Sequence, residues 1–478
     1  MKSLKKNAVL NIVKQICQVL FPLITVPYVS RVLSAENYGR YNFANSIISY
    51  FSLIAALGIT NYAIREGARV RDNKEEFEKF SSEIFTINCW STMVSYFFLF
   101  GILIVSEKLH SYTMLILIQS LVILFTTAGV DWINSIYEEF TYITIRYIII
   151  QCLSVVAMLM IVHNESDYIL YALITVCANA GANLMNIIHV RKYVKLRFTF
   201  KPNLKKHMLP MLLLFCNTIA VTIYVNSDAT MLGILVSDQA VGIYSLVAKV
   251  YTIVKQLLSA ILIVTLPRFS VYLGNNDIDK YNCLLKKVFN ALISILLPAI
   301  VGLFMLSEHI INILGGTEYQ DGYIALKILS IGLMFAILAY FYSGCILLPY
   351  KKEKNFLIAT IMGALANIVI NFIVIPRYSY IGASSTTVLA ELIVFAFCWY
   401  YSRKLVQVKF DRKVLLSVGI SCIAIIIICH FTTIKLGVGI LPGIVSIALS
   451  GISYLLIMLL FKNEIVMQFI RSIKEKVM

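Results

Sequence analysis

Apolar runs of about 20 residues recur from one end of this chain to the other, each long enough to cross roughly 30 Å of hydrocarbon. Polar residues gather in the short stretches between them. Fourteen runs are readable, near 10–30, 40–63, 81–105, 111–130, 142–162, 167–190, 208–235, 241–266, 285–306, 323–349, 355–375, 380–401, 414–434 and 438–461. An open strand edge in lipid would leave backbone groups without partners. The pattern therefore predicts an all-α polytopic membrane protein of about 14 transmembrane helices. The first run follows Lys2, Lys5 and Lys6, as a signal peptide would. It is long, contains Lys14 and lacks a small-residue cleavage site, so it reads as a retained helix.

Composition agrees. The chain is 59% hydrophobic and 14% charged over 478 residues, with a mean hydropathy of +0.83, whereas soluble domains are roughly half apolar and a quarter charged. The net charge of +16 becomes informative when mapped. With a cytoplasmic N-terminus, the inner connections and tails collect 32 of the 41 Lys and Arg residues, five (Arg31, Arg40, Lys108, Arg377 and Lys435) fall outside, and the remaining four lie within spans. This is the positive-inside distribution of a plasma-membrane protein with both termini in the cytoplasm. Anionic inner-leaflet lipid accounts for the basic balance, and no nucleic-acid partner is needed. The ten cysteines form no C-x-x-C pair and read as apolar packing residues; the six histidines show no metal-ligand spacing.

The runs also repeat. Residues 33–47 align with 236–250 at an offset of 203, matching Ser34 with Ser237, Gly39 with Gly242 and Tyr41 with Tyr244. Residues 167–198 align with 379–410 at an offset of 212, matching Tyr168 with Tyr380, Thr175 with Thr387, Arg191 with Arg403 and Phe198 with Phe410. A longer connection near 307–321 absorbs the drift. The expected organisation is two pseudo-symmetric six-helix lobes, 1–207 and 208–410, followed by two further spans and a tail over 411–478. Parallel repeats of this kind are a transporter architecture with the binding site between the halves. In VSRVLSAENYGRY, Gly39 reads as the residue permitting a tight reversal, with Arg31, Glu36 and Arg40 at the wet interface.

Polar residues inside the spans mark the candidate site, because an ionisable group at mid-membrane costs at least ~2.5–3.5 kcal/mol. Span 1 carries Asn11, Lys14 and Gln18 on one stripe; span 2 carries Asn42, Asn45 and Ser49; span 7 offers Asn217; span 8 carries Lys249, Thr252, Lys255 and Gln256. The repeat would bring these stripes together around a central cavity, made cationic by Lys14, Lys249 and Lys255. Lys14 alternatively snorkels to the inner headgroups. Asp228 and Glu391 read either as partners of a lysine or as sites taking up a coupling proton or sodium ion. The ladder Asn179, Asn183, Asn186 reads as inter-helix glue. There is no P-loop, so no nucleotide cofactor is expected; Asp277-Ile278-Asp279 lies in a short basic connection and reads as coincidence. The outer connections are short for a membrane polymerase or glycosyltransferase, which argues against an enzyme.

VPYVSRVLSAENYGRYNFANSIISYF, DWINSIYEEFTYITIR, YVNSDATMLG and VGIYSLVAKV resemble the polysaccharide-biosynthesis flippases of the Wzx type. These belong to the multidrug/oligosaccharidyl-lipid/polysaccharide exporter superfamily, and the resemblance covers essentially the whole chain. It implies a fourteen-helix, two-lobed bundle that moves an undecaprenyl-diphosphate-linked oligosaccharide from the inner to the outer leaflet of the bacterial cytoplasmic membrane, beside the polymerase of the same pathway. It also implies that cationic cavity residues hold the diphosphate, a role that falls to Lys14, Lys249, Lys255 and Arg31. The neighbouring reading is an ion-coupled multidrug or metabolite antiporter of the same fold.

Overall fold

The computed structural model describes residues 4–461 together with Asn463 and Met467. The side chains of 4–9, 11, 12, 213, 217 and 220 lie outside the described residues, and with them the predicted Asn11 and Asn217. The chain divides into two compact units, residues 1–242 and 243–478. Among the described residues there is no strand.

The first unit holds α1 (Leu4–Val32), α2 (Ser34–Ala56), α3 (Ile59–Val70), α4 (Lys74–Val105), α5 (Glu107–His110), α6 (Thr113–Gly129), α7 (Trp132–Ile136), α8 (Phe140–Ile161), α9 (Tyr168–Val190) and α10 (Leu204–Leu235). The long α11 (Asp238–Gly274) starts there and continues into the second unit. That unit adds α12 (Ile278–Met305), α13 (Ser307–Gly315), α14 (Gly322–Tyr342), α15 (Glu353–Ser402), α16 (Arg412–Leu436) and α17 (Ile440–Leu460).

Each apolar run of the sequence is helical. Eleven described helical segments are long and apolar enough to cross a membrane, or twelve with the bent pair Leu204–Cys216 and Val221–Leu235. Two of the fourteen runs are not counted separately. Thr113–Gly129 is only 17 residues long. Runs 355–375 and 380–401 share α15, a 50-residue segment broken at Ser379, whose φ of 50° lies in the left-handed region just after Pro376. Large apolar side chains point outward along these helices, among them Phe97, Ile104, Val264, Leu416 and Ile434, as hydrocarbon requires.

The breaks have local causes. Ser34, with φ 65°, separates α1 from α2, so the reversal lies there and not at Gly39. Gly39 is buried inside α2, and a Cβ on it would overlap the Asp238 carbonyl oxygen. A Cβ on Gly242 would likewise overlap the Ala35 carbonyl oxygen. The two glycines matched by the repeat thus let α2 and the first turns of α11 meet backbone to backbone, the use to which small residues are put between membrane helices.

The repeat is also visible in hydrogen bonds. The Tyr41 hydroxyl donates to Thr175 Oγ1 at 3.4 Å in the first unit, and the matched Tyr244 and Thr387 hydroxyls lie 3.3 Å apart in the second. The Asn ladder is glue in part: Asn183 donates to Asn179 Oδ1 at 2.8 Å, and Asn186 to Asp131 Oδ1 at 2.9 Å. Asp131 Oδ1 also accepts from Arg146 and Asn134, tying α7, α8 and α9 together through the DWINSIYEEFTYITIR string. Asp277 caps α12 by accepting from the Lys280 N–H at 3.2 Å, a structural use for the D-x-D string.

Candidate functional site

A cavity of about 560 Å³ opens within the first unit, between α2, α6, α9 and α10. Its polar lining includes Asn45, Ser49, Ser52, Gln119, Asn179 and Thr222. Ile48, Leu53, Val122 and Val176 supply the apolar part, and Tyr41 supplies an aromatic ring. The volume falls in the range of small-molecule sites, roughly 300–1,000 Å³. The lining holds no Lys, Arg, Asp, Glu or His among the described residues.

Its hydrogen-bond inventory is specific. Ser49 donates to the Asn45 carbonyl at 2.8 Å and Thr218 to that of Leu214 at 3.0 Å, which leaves the hydroxyl oxygens as acceptors. The Asn226 amide donates to the Thr222 carbonyl at 2.9 Å. Asn179 accepts from Asn183 through Oδ1, which leaves its own amide to donate. Gln119, 3% exposed, donates to the Tyr41 carbonyl at 3.2 Å, while its buried Oε1 has no protein partner.

The second unit carries a different arrangement. Lys255 Nζ lies 2.5 Å from Glu391 Oε1, and the Tyr251 hydroxyl donates to the same oxygen at 3.1 Å. Glu391 is 5% exposed. The 203-residue offset maps Tyr251 and Lys255 onto Ile48 and Ser52, and the 212-residue offset maps Glu391 onto Asn179. All three counterparts line the first unit's cavity. The aligned positions therefore hold neutral groups in one unit and, in the other, an ion pair hydrogen-bonded to a tyrosine.

The remaining sequence-predicted residues are placed unit by unit. Asn45 and Ser49 join in the cavity wall. Asn42 donates to the Tyr38 carbonyl at 2.7 Å within its own helix. Lys14 is half-buried and Gln18 exposed on α1, and neither belongs to that lining. Arg31 is exposed at the end of α1. Thr252, Lys249 and Gln256 are exposed on α11, on either side of Lys255. Asp228 is buried, 3% exposed, on α10.

Two features escaped the sequence reading. Gln119 is one polar residue in the apolar run TMLILIQSLVILF, a signal visible but isolated. The other is a buried network: His207 Nε2 lies 2.9 Å from Glu83 Oε2, and its Nδ1 lies 2.7 Å from the Tyr62 hydroxyl. It joins α3, α4 and α10 across more than a hundred residues of sequence, and His207 sits in a stretch that reads only as basic connection. Arg40 is likewise more than an anchor. It pairs with Glu36 at 2.7 Å and with Asp238 at 3.3 Å, and the Tyr112 hydroxyl donates to Asp238 at 2.6 Å. Among the described residues no group of three or more His, Cys, Asp or Glu is placed to hold a metal.

Comparison with known proteins bears on the whole chain. The family described as polysaccharide biosynthesis protein matches residues 4–273, and the MatE family matches residues 214–373. The capsular polysaccharide biosynthesis protein CapF of Staphylococcus aureus is 25% identical over 410 residues, spanning 83% of this chain and 98% of that protein. The solved structure of lipid II flippase MurJ in an inward closed conformation superposes with a TM-score of 0.75. It covers 96% of this chain and 99% of that one at 16% identity. An inward-facing multidrug resistance MATE family transporter of the MOP superfamily gives a TM-score of 0.59 at 11% identity, covering 81% and 97%. These superpositions describe a shared fold.

Proposed function

Because the chain belongs to the polysaccharide biosynthesis protein family, we propose that it is a flippase for an undecaprenyl-diphosphate-linked oligosaccharide in the bacterial cytoplasmic membrane. The observation that carries this reading is coverage. The family match takes in more than half of the chain, and the capsular relative spans 83% of it. A carrier, not an enzyme, fits a bundle in which the polar groups line a cavity within apolar helices.

The work follows from charge and solvation. A diphosphate carries about two negative charges, which hydrocarbon cannot hold without compensation. Lysine side chains on the α1 and α11 stripes, Lys14 and Lys249, offer that compensation, with Arg31 at the end of α1. Lys255 contributes less, since Glu391 already neutralises it at 2.5 Å. Uptake of a proton by Glu391 would release that charge, which makes the pair the natural seat of ion coupling; Asp228 is the other candidate acid. The prenyl chain stays in lipid while the lobes alternate between inward and outward access. The inward excess of Lys and Arg supports cytoplasmic termini.

The test is depletion of the protein in its bacterium. The lipid-linked oligosaccharide is expected to accumulate on the inner leaflet, inaccessible to an impermeant glycosidase applied outside. An unchanged pool, equally accessible, would overturn the reading. A second reading, an ion-coupled antiporter for small organic molecules, is favoured by the MatE match over 214–373. It predicts altered drug sensitivity with no change in the lipid-linked pool.

A further inference from the structure

Among the described residues the cavity of the first unit has no charged lining residue, yet it sits in a chain proposed to carry a diphosphate. The two facts fit if the cargo is divided between sites. We infer that this cavity is a glycan subsite: it receives uncharged sugar residues of the lipid-linked cargo and takes no part in holding the diphosphate. The inference rests on the flippase reading and says where within the protein the sugar is recognised.

Three observations carry it. The lining offers neutral acceptors (Ser49, Thr218, Asn226) and neutral donors (Asn179, Asn45) around a half-apolar wall with one aromatic residue, Tyr41. Sugars present both hydroxyl donors and acceptors on rings with apolar C–H faces, and this is the surface that matches them. A diphosphate would demand cations, which the described lining lacks. Gln119 Oε1 is buried beside this space without a protein partner, and buried polar atoms left unpaired are uncommon. A ligand hydroxyl or acetamido N–H would satisfy it. Finally, the repeat-related positions in the second unit are occupied by Tyr251, Lys255 and Glu391, bonded to one another. The matched positions are thus neutral in the first unit and carry a bonded ion pair in the second, a difference that fits a division of work between the two halves.

The closing experiment measures binding to the full-length protein in lipid nanodiscs. The probes are undecaprenyl diphosphate without sugar and the same lipid carrying glucose, N-acetylglucosamine or glucuronate. The test variant is Ser52→Lys with Asn179→Glu, which copies into the first unit the pair already present in the second. Wild type is expected to bind at least one neutral-sugar lipid about tenfold more tightly than the sugar-free lipid, the worth of one or two hydrogen bonds. The double variant should lose that difference and keep its affinity for sugar-free lipid. If it fails to fold, Asn45→Leu is measured in its place, with the same expectation. Wild type that binds all four lipids alike, or a folded variant that keeps the sugar preference, overturns the subsite and leaves the flippase reading standing. Wild type that binds none of the lipids overturns both.

Discussion

Lys255 and Glu391 stand where Ser52 and Asn179 stand in the other repeat, and this one contrast concentrates the residue-scale argument. A buried carboxylate whose partner is removed costs about 3–5 kcal/mol, whereas replacing both members of a pair costs far less. Lys255→Ser should therefore lower thermal stability sharply. The double variant Lys255→Ser/Glu391→Asn, which restores the first unit's residues, should recover much of the loss. A double-mutant cycle in detergent measures the coupling; additive effects would mean that the pair does not act as one. Gly39→Ala is the companion test of close backbone approach. The new methyl would meet the Asp238 carbonyl, and overpacking of this kind costs roughly 1–3 kcal/mol, read as a lowered melting temperature. The lysines, acids and glycines were all legible as unusual residues. Glu391 was legible as the partner of some lysine, and the structure bears that alternative out. Which lysine was not legible: Lys255 and Glu391 are 136 positions apart, and spacing along one helix carries no information across such a gap. The repeat alignment came nearest, since it had already set Glu391 opposite Asn179.

Among the elements, the apolar runs announced nearly every helix, because hydrocarbon demands a fixed length of apolar chain. The breaks were harder to read. Ser34 and Ser379 adopt positive φ without glycine's freedom, so the usual turn signal is absent there, and the reversal expected at Gly39 lies five residues earlier. The His207–Glu83–Tyr62 network is also an inter-element device, joining helices that sequence distance keeps apart. His207→Leu should strand Glu83, and the cost is expected to be several kcal/mol, visible as loss of folded protein in detergent; Tyr62→Phe, which removes one hydroxyl, should cost only about 1 kcal/mol. At the start of α12, the Lys280 side chain and backbone N–H hold the Asp277 carboxyl below its usual range. Its contribution is fully present above the unfolded carboxylate pKa, about 3.9, and is lost as pH falls through the lower folded value. Hydrogen exchange at the first turn of α12 should therefore quicken only in that acid window, and Asp277→Asn should flatten the dependence.

At the scale of the whole molecule, the sequence told most about architecture and least about the site. Tandem repetition was readable from a few identities, and the structure repeats it down to the Tyr41–Thr175 and Tyr244–Thr387 hydrogen bonds. Counting lysines predicts a cationic cavity. The arrangement within each unit is subtler, with a neutral cavity in the first and a self-neutralised pair in the second. Counting charges cannot reveal which of them cancel. The central claim is that this chain moves a lipid-linked glycan between leaflets, and one reconstitution tests it most directly. Proteoliposomes would carry, in parallel, a fluorescent undecaprenyl-diphosphate oligosaccharide and a trapped cationic dye. The account predicts protein-dependent arrival of the labelled lipid at the outer leaflet, scored by an impermeant quencher, with no dye efflux under an imposed proton or sodium gradient. Gradient-driven dye efflux without lipid movement would contradict it.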